Sequence, residues 1–379
     1  MTGPIEHVAL LGPAPPDRGG IARETALLAS GLEKRTRVSW FTFSRPYPRW
    51  LDPRRFDRIP EGAPPPGARA MLDYRSPASW NSTAREIASS GADALIAPWW
   101  TSFWGLPLRT VFRRLRALSP RTRRVLLCHN VADHEPGALQ RFFTLGAFLA
   151  ADAFVVHAES DRDRLSRRGP GRPVAVLPHP VVEAVRPDCT GARGRLGIAS
   201  PLVLFLGLVR RYKGVELLLD AAPRIVAETG ATIAVVGEVF PEARSLERRW
   251  KQSPVRESIR WRDEYVPEEE MSLWLAACDA VVLPYRYVSG SGIAARAIAA
   301  RRPMVAAAVG GLVETVQPGS TGELFAPGDP DALAAAVSRV LDRGVAFYEP
   351  GLAAAAEKAS WPGYVDSLLA FLSSLPSRG

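Results

Sequence analysis

Residues 202–225 read LVLFLGLVRRYKGVELLLDAAPRI. The run LVLFL is short, continuous and apolar, and Gly207 bounds it, as expected of a strand buried on both faces of a parallel sheet. A basic loop follows, Arg210-Arg211-Tyr212-Lys213, then Gly214 and an amphipathic helix from about Val215 to Glu228. A strand that feeds a helix through a tight loop is half of a βαβ unit. The loop stands at the carboxyl end of the strand, where open α/β sheets bind ligands. Arginine and lysine at that place can neutralise a diphosphate, arginine through two parallel hydrogen bonds. A solvated basic turn is the plainer alternative.

The same alternation extends in both directions. Before the loop, apolar runs stand at 7–12, 38–43, 92–100, 124–130, 153–158 and 173–180, with a helix expected from about Ile21 to Leu32. After it, runs stand at 232–238, 258–265, 279–285, 303–308 and 322–328, with helices expected from about Pro267 to Cys278 and from Asp329 to Leu341. Asp329 before Pro330 is a plausible N-cap with proline in the first turn. The irregular stretch 182–201 reads as a linker. The pattern predicts an α/β chain of two Rossmann-like doubly wound domains, with ligands in a cleft between them. The expected division is 1–185, 186–358 and a terminal segment 359–379.

The chain has 379 residues, 47% of them hydrophobic, which suits two ordinary domains with real cores. No apolar run reaches the roughly 18 residues of a membrane-spanning helix. MTGPIEHVALLGPAPP reads as a first strand rather than a signal peptide, since Glu6 and His7 replace a basic leader. Three dispersed cysteines without a CxxC pair favour a reducing, cytoplasmic compartment. The five histidines are scattered and suggest no metal cluster. A net charge of +9 is either an arginine-rich surface or an attraction to phosphates. Motifs for nucleic-acid binding are missing.

Three stretches of the first half carry chemistry. In PAPPDRGGIA (13–22), Gly19 and Gly20 let backbone approach a phosphate or sugar, and the helix from Ile21 aims its N-terminal N–H groups at it. In LLCHNVADHEP (126–136), His129 ends a strand, followed by the polar Asn130, His134 and Glu135. His157 and His179 end later strands. In APWWTSFWG (97–105), Trp99, Trp100 and Trp104 could stack on sugar rings or on lipid, or could pack in the core. The next segment, 106–124, places Leu108, Val111, Phe112, Leu115 and Leu118 near one helical face and arginines elsewhere. Such a helix either packs on its own sheet or lies on an anionic membrane.

With these stretches in order, the chain resembles GT-B glycosyltransferases, particularly the retaining family 4 type. Gly207 to Gly214 fits the family's Gly-x-x-x-x-x-Lys-Gly loop. DRGGIARETALLASGL (17–32), RWRDEYVPEEEMSLWLAACDAVVLPY (260–285) and RRPMVAAAVGGLVETVQPGSTGELFAPGDPDALAAAV (301–337) match further segments. WPGYVDSLLAFLSSL (361–375) resembles the terminal helix that braces the first domain. The resemblance implies transfer of a sugar from a nucleoside-diphosphate sugar to a glycan, lipid-linked or small-molecule acceptor, with retention and without bound metal or other cofactor. By resemblance, Lys213 and Arg210 meet the leaving diphosphate and His129 lies close to the transferred sugar. Gly19, Gly20, Tyr265, Val266, Ser289, Ser291, Gly292, Ile293 and Arg296 border the donor. Trp99, Trp100, Trp104, Asn130, His134 and Glu135 border the acceptor. A membrane-borne acceptor would place the chain at the inner face of the cell membrane, with 106–124 as the contact.

Two motifs depart from the family: Leu208 stands where the family's arginine follows the first glycine, with Arg210 two residues on, and the elbow differs more. Most family 4 enzymes carry two glutamates eight residues apart around the elbow, one for the sugar and one for the ribose. Here Val288 and Arg296 stand there, within YRYVSGSGIAARAIA (285–299). Either the Ser-Gly elbow holds the donor without those acids, or the chain binds nucleotide sugar as a silent partner. A nucleotide-sugar 2-epimerase shares the fold, but its extra acids have no counterpart here.

Overall fold

A computed structural model describes residues 3–17, 19–48, 65–131, 138–168, 171–181 and 189–376. His134 and Glu135 lie outside the described residues. The chain divides into two compact units, Met1–Pro178 with Trp361–Gly379, and His179–Ser360.

The first unit carries strands β1 (His7–Leu11), β2 (Arg37–Arg45), β3 (Arg69–Asp73), β4 (Ala94–Trp99), β5 (Arg123–Cys128), β6 (Ala153–Val156) and β7 (Val174–Val176). They form a parallel sheet in the order β3-β2-β1-β4-β5-β6-β7. Helices α1 (Gly20–Glu33), α2 (Pro77–Ser90), α3 (Gly105–Leu118), α4 (Ala138–Ala150) and α5 (Glu159–Arg168) connect them.

The second unit opens with α6 (Cys189–Leu196) and continues through β8 (Leu202–Leu206), α7 (Val215–Thr229), β9 (Thr232–Val236), α8 (Ser245–Lys251) and β10 (Ile259–Arg262). Then follow α9 (Glu268–Ala277), β11 (Ala280–Leu283), α10 (Gly292–Ala299), β12 (Met304–Ala307), α11 (Leu312–Thr315), β13 (Gly322–Phe325), α12 (Pro330–Arg343) and α13 (Val345–Lys358). Its parallel sheet runs β10-β9-β8-β11-β12-β13. The last helix, α14 (Trp361–Ser374), returns to the first unit and packs on α1. There it buries Tyr364, Val365, Leu368 and Leu372.

Both sheets reverse direction after their third strand, at β1/β4 and at β8/β11. A repeated aspartate fixes these junctions. Asp93, just before β4, accepts hydrogen bonds from the backbone N–H groups of Glu6 and His7 at 2.9 Å each. Asp279, just before β11, accepts from Leu202 N at 2.7 Å and from Arg193 Nη1 at 2.9 Å. Asp152, before β6, accepts from Arg124 N at 3.0 Å. Each carboxylate takes up the free N–H at the start of a neighbouring strand, where the ladder leaves it unpaired. Asp279→Ala strips Leu202 N–H of its acceptor and leaves Arg193 only backbone carbonyls, and should cost about 1–3 kcal/mol in urea unfolding.

The structure adds to the sequence reading in three places. The stretch 182–201 is not all linker: α6 packs on α9, with Ala192 and Ile198 buried in the core of the second unit. It is short and arginine-rich, so its apolar periodicity is weak. β3 had no apolar run to announce it, because an edge strand buries little, here Leu72. Most of the apolar face of α3 is already covered: Leu108, Val111, Phe112 and Leu115 lie in the core, with α2 and α4 alongside, while Leu118 is exposed. The covered part is not available to a membrane. No helix among the described residues is long and apolar enough to cross one.

Candidate donor site

The site in the second unit forms at the carboxyl ends of β8 and β11, the point where strand order reverses. The loop after β8 contains Gly207, with φ of 100°, and closes on Gly214, with φ of 66°. Both angles are left-handed, which glycine alone adopts without strain. A Cβ at Gly214 would stand 1.9 Å from the carbonyl oxygen of Pro284, so the two loops touch backbone to backbone. Arg286 ties them further. Its N–H donates to Tyr212 O at 2.8 Å, and its Nε donates to Glu216 Oε1 at 2.7 Å.

Lys213 lies in this junction. It is half-buried, with its ammonium 5.4 Å from the ring centre of Tyr285 and 6.0 Å from that of Phe205. Burial, and then the charge of Arg210, lower its pKa to about 8. Such a lysine binds fewer protons folded than unfolded, so stability rises with pH from about 8 toward its unfolded value near 10.5. At neutral pH the partly desolvated cation therefore costs stability, which points to a role in binding. Arg210 stacks its guanidinium 4.0 Å from the ring centre of Phe240, with Glu242 Oε1 3.7 Å from Nε.

The elbow completes the site. Ser291 is the N-cap of α10, its hydroxyl accepting from Ala294 N at 3.2 Å. Gly292 and Ile293 are the first helical residues, and such N–H groups have no acceptor within their helix. A Cβ at Gly207 would lie 3.4 Å from both Ile293 Cδ1 and Lys213 Nζ, so lysine and helix start share one place. Ser289 is buried, 3.3 Å from the Tyr287 hydroxyl. These serine hydroxyls serve the loop itself. Val288 is a core residue, its carbonyl backed by Gly310.

Arg296 has a partner that sequence reading missed. Its Nη1 donates to Glu268 Oε1, in the first turn of α9. The acid lies 28 residues away in sequence, so spacing gave no sign of it. Tyr265 is half exposed just before α9, whereas Val266 is buried.

The first unit gathers its own residues at strand ends. Gly19 has a φ of 121° and starts α1 without a side-chain cap. His129 follows β5 and His157 follows β6, and both are buried. Asn130 Nδ2 donates to Trp100 O at 3.2 Å and holds that loop. Two tryptophans are not ring platforms. Trp99 is 2% exposed and Trp104 1%, Trp104 stacked on Phe43 with ring centres 4.3 Å apart. Trp100 is half-buried, its Nε1 donating to the Tyr47 hydroxyl at 2.8 Å.

Comparison with known proteins bears on the fold and its family resemblance. Residues 200–343 match the family Glycosyl transferases group 1. A D-inositol 3-phosphate glycosyltransferase of Geodermatophilus obscurus is 34% identical over 234 residues, 58% of this chain and 52% of its own. A glycogen synthase of Mycobacterium tuberculosis is 31% identical over 194 residues, 51% of this chain and 46% of its own. The chain thus spans about half the length of the curated relatives it matches. Among solved structures, a sucrose-phosphate synthase from Thermosynechococcus elongatus superposes with a TM-score of 0.77 at 20% identity, over 96% of this chain and 97% of the other. Anabaena HepE in complex with UDP and glucose gives 0.74 at 16%, over 97% and 100%. The fold is therefore that of two Rossmann-like α/β units found in GT-B glycosyltransferases, and residues 200–343 are similar to the Glycosyl transferases group 1 family.

Proposed function

We propose that the chain is a glycosyltransferase that takes a hexosyl group from a nucleoside-diphosphate sugar. The observation that carries this reading is Lys213, a cation set against the start of α10 at the carboxyl edge of the second sheet. A diphosphate between them would receive a charged donor and backbone N–H groups, and leaving-group charge would develop where both already point. The comparison structure that holds UDP and glucose supports a UDP-sugar as the first donor to try.

The chain belongs, on this reading, to a family 4 type branch that retains anomeric configuration, reacting on one face through an oxocarbenium-like state. Its departure lies at Val288 and Arg296. Arg296 cannot accept a hydrogen bond from ribose hydroxyls. Glu268, held by Arg296, brings a carboxylate to that neighbourhood and takes over the ribose. His129 bonds the transferred sugar, and acceptors remain the broad class of glycans, lipid-linked sugars and small molecules. A second reading, a silent partner that binds without turnover, is favoured by the buried Val288 at the motif's first position.

Release of nucleoside diphosphate from a panel of UDP-, GDP- and ADP-sugars tests the proposal. Turnover of one donor supports transfer. Binding without turnover, with acceptors supplied, supports the silent partner.

The lysine makes a separate prediction for binding. UDP is fully ionised above pH 7, while the free-site ammonium is lost as pH rises through about 8. Affinity for UDP should fall roughly tenfold per pH unit between about 8 and 9.5. Calorimetric titrations at several pH values check this, and a flat profile would contradict it.

A further inference from the structure

Three residues far apart in sequence meet in the first unit: Glu24, one turn into α1, His129 after β5 and His157 after β6. One ligand atom from each lies within 4.8 Å of the others. His157 Nε2 is 3.3 Å from His129 Nδ1, and His129 Nδ1 is 3.6 Å from Glu24 Oε2. Atoms that share one tetrahedral ion at about 2.0–2.1 Å stand roughly 3.3 Å apart, so small side-chain shifts suffice. The sequence reading of scattered histidines is corrected here: the sheet topology places adjacent strand ends, and with them the two imidazoles, side by side.

Two further observations point the same way. His157 Nδ1 is 2.9 Å from Leu177 O. A carbonyl only accepts, so Nδ1 carries the proton, and the neutral form of His157 presents its Nε2 lone pair toward the cluster. That outer hydrogen bond is the one that metal-bound histidines make. The Tyr364 hydroxyl, on a residue 7% exposed, has no hydrogen-bond partner among the described residues. It lines one narrow crevice with Glu24 and His129. A water held beside such an ion would supply the partner that Tyr364 lacks.

We propose that Glu24, His129 and His157 form a binding site for one divalent transition-metal ion of the zinc class. Two imidazoles and one carboxylate suit Zn²⁺, Co²⁺ or Ni²⁺, whereas Mg²⁺ and Ca²⁺ favour all-oxygen sets. The ion pins α1 to the ends of β5 and β6 and occupies His129 Nδ1. Any contact that His129 makes to a sugar is then coupled to metal occupancy. The proposal does not depend on the transferase reading.

The test uses the full chain without an affinity tag, stripped of metal. Calorimetry with Zn²⁺ should show one saturable site per chain, and Mg²⁺ should show none. Co²⁺ should give the intense visible bands of a four-coordinate site. His157→Gln and Glu24→Gln should each weaken Zn²⁺ binding by about tenfold or more while keeping the wild-type circular dichroism. Absence of saturable binding, or unchanged affinity in both variants, overturns the proposal and leaves a hydrogen-bonded chain of two histidines and a glutamate.

Discussion

Lys213→Ala should lower donor turnover about 100- to 1,000-fold, as the loss of one pre-placed charge donor does in other transfer sites. Affinity for the nucleoside diphosphate should fall in the same variant. Stability should not. The ammonium is held at a pKa of about 8 by burial and by Arg210, so its removal takes away a group that costs folding energy at neutral pH. Lys213→Ala should therefore melt at or above the wild-type temperature while losing activity. A variant that melted early and lost activity in proportion would assign Lys213 to the fold instead.

Gly214→Ala should be among the most damaging single methyl groups in the second unit. Its φ of 66° is strained for alanine, and the added Cβ would stand 1.9 Å from Pro284 O, a backbone atom that cannot rotate aside. The expected loss is on the order of 2–4 kcal/mol in urea unfolding. Gly230 supplies the comparison. Its φ is 62°, almost the same, yet no atom lies within 4 Å of the added Cβ. Gly230→Ala should cost only about 1 kcal/mol. The difference between the two variants isolates the contact between the loops after β8 and β11. Equal losses would show that the angle matters and the contact does not.

The fold was legible because parallel strands buried on both faces are written as short apolar runs, as in LVLFL and AVVL. An edge strand such as β3 lacks that signature, and α6 lies hidden in a stretch of small and basic residues. The loop after β8 was legible for a different reason. Gly207, Lys213 and Gly214 lie within eight residues, so the turn they form is local. The partners of the site were not. Arg286 with Tyr212, and Arg296 with Glu268, join loops that meet only through the order of the sheet. The tryptophan-rich stretch marks the opposite limit. Aromatic residues look the same in sequence whether they face a ligand or, like Trp99 and Trp104, fill a core.

The central claim is that a diphosphate is held between Lys213 and the start of α10. A crystal structure of the chain soaked with UDP tests it most directly. The account predicts phosphate oxygens within about 3 Å of Lys213 Nζ and of the backbone N–H groups of Gly292 or Ile293. UDP bound with its phosphates away from Lys213, or ordered only beside Gly19 and Gly20 in the first unit, would contradict it.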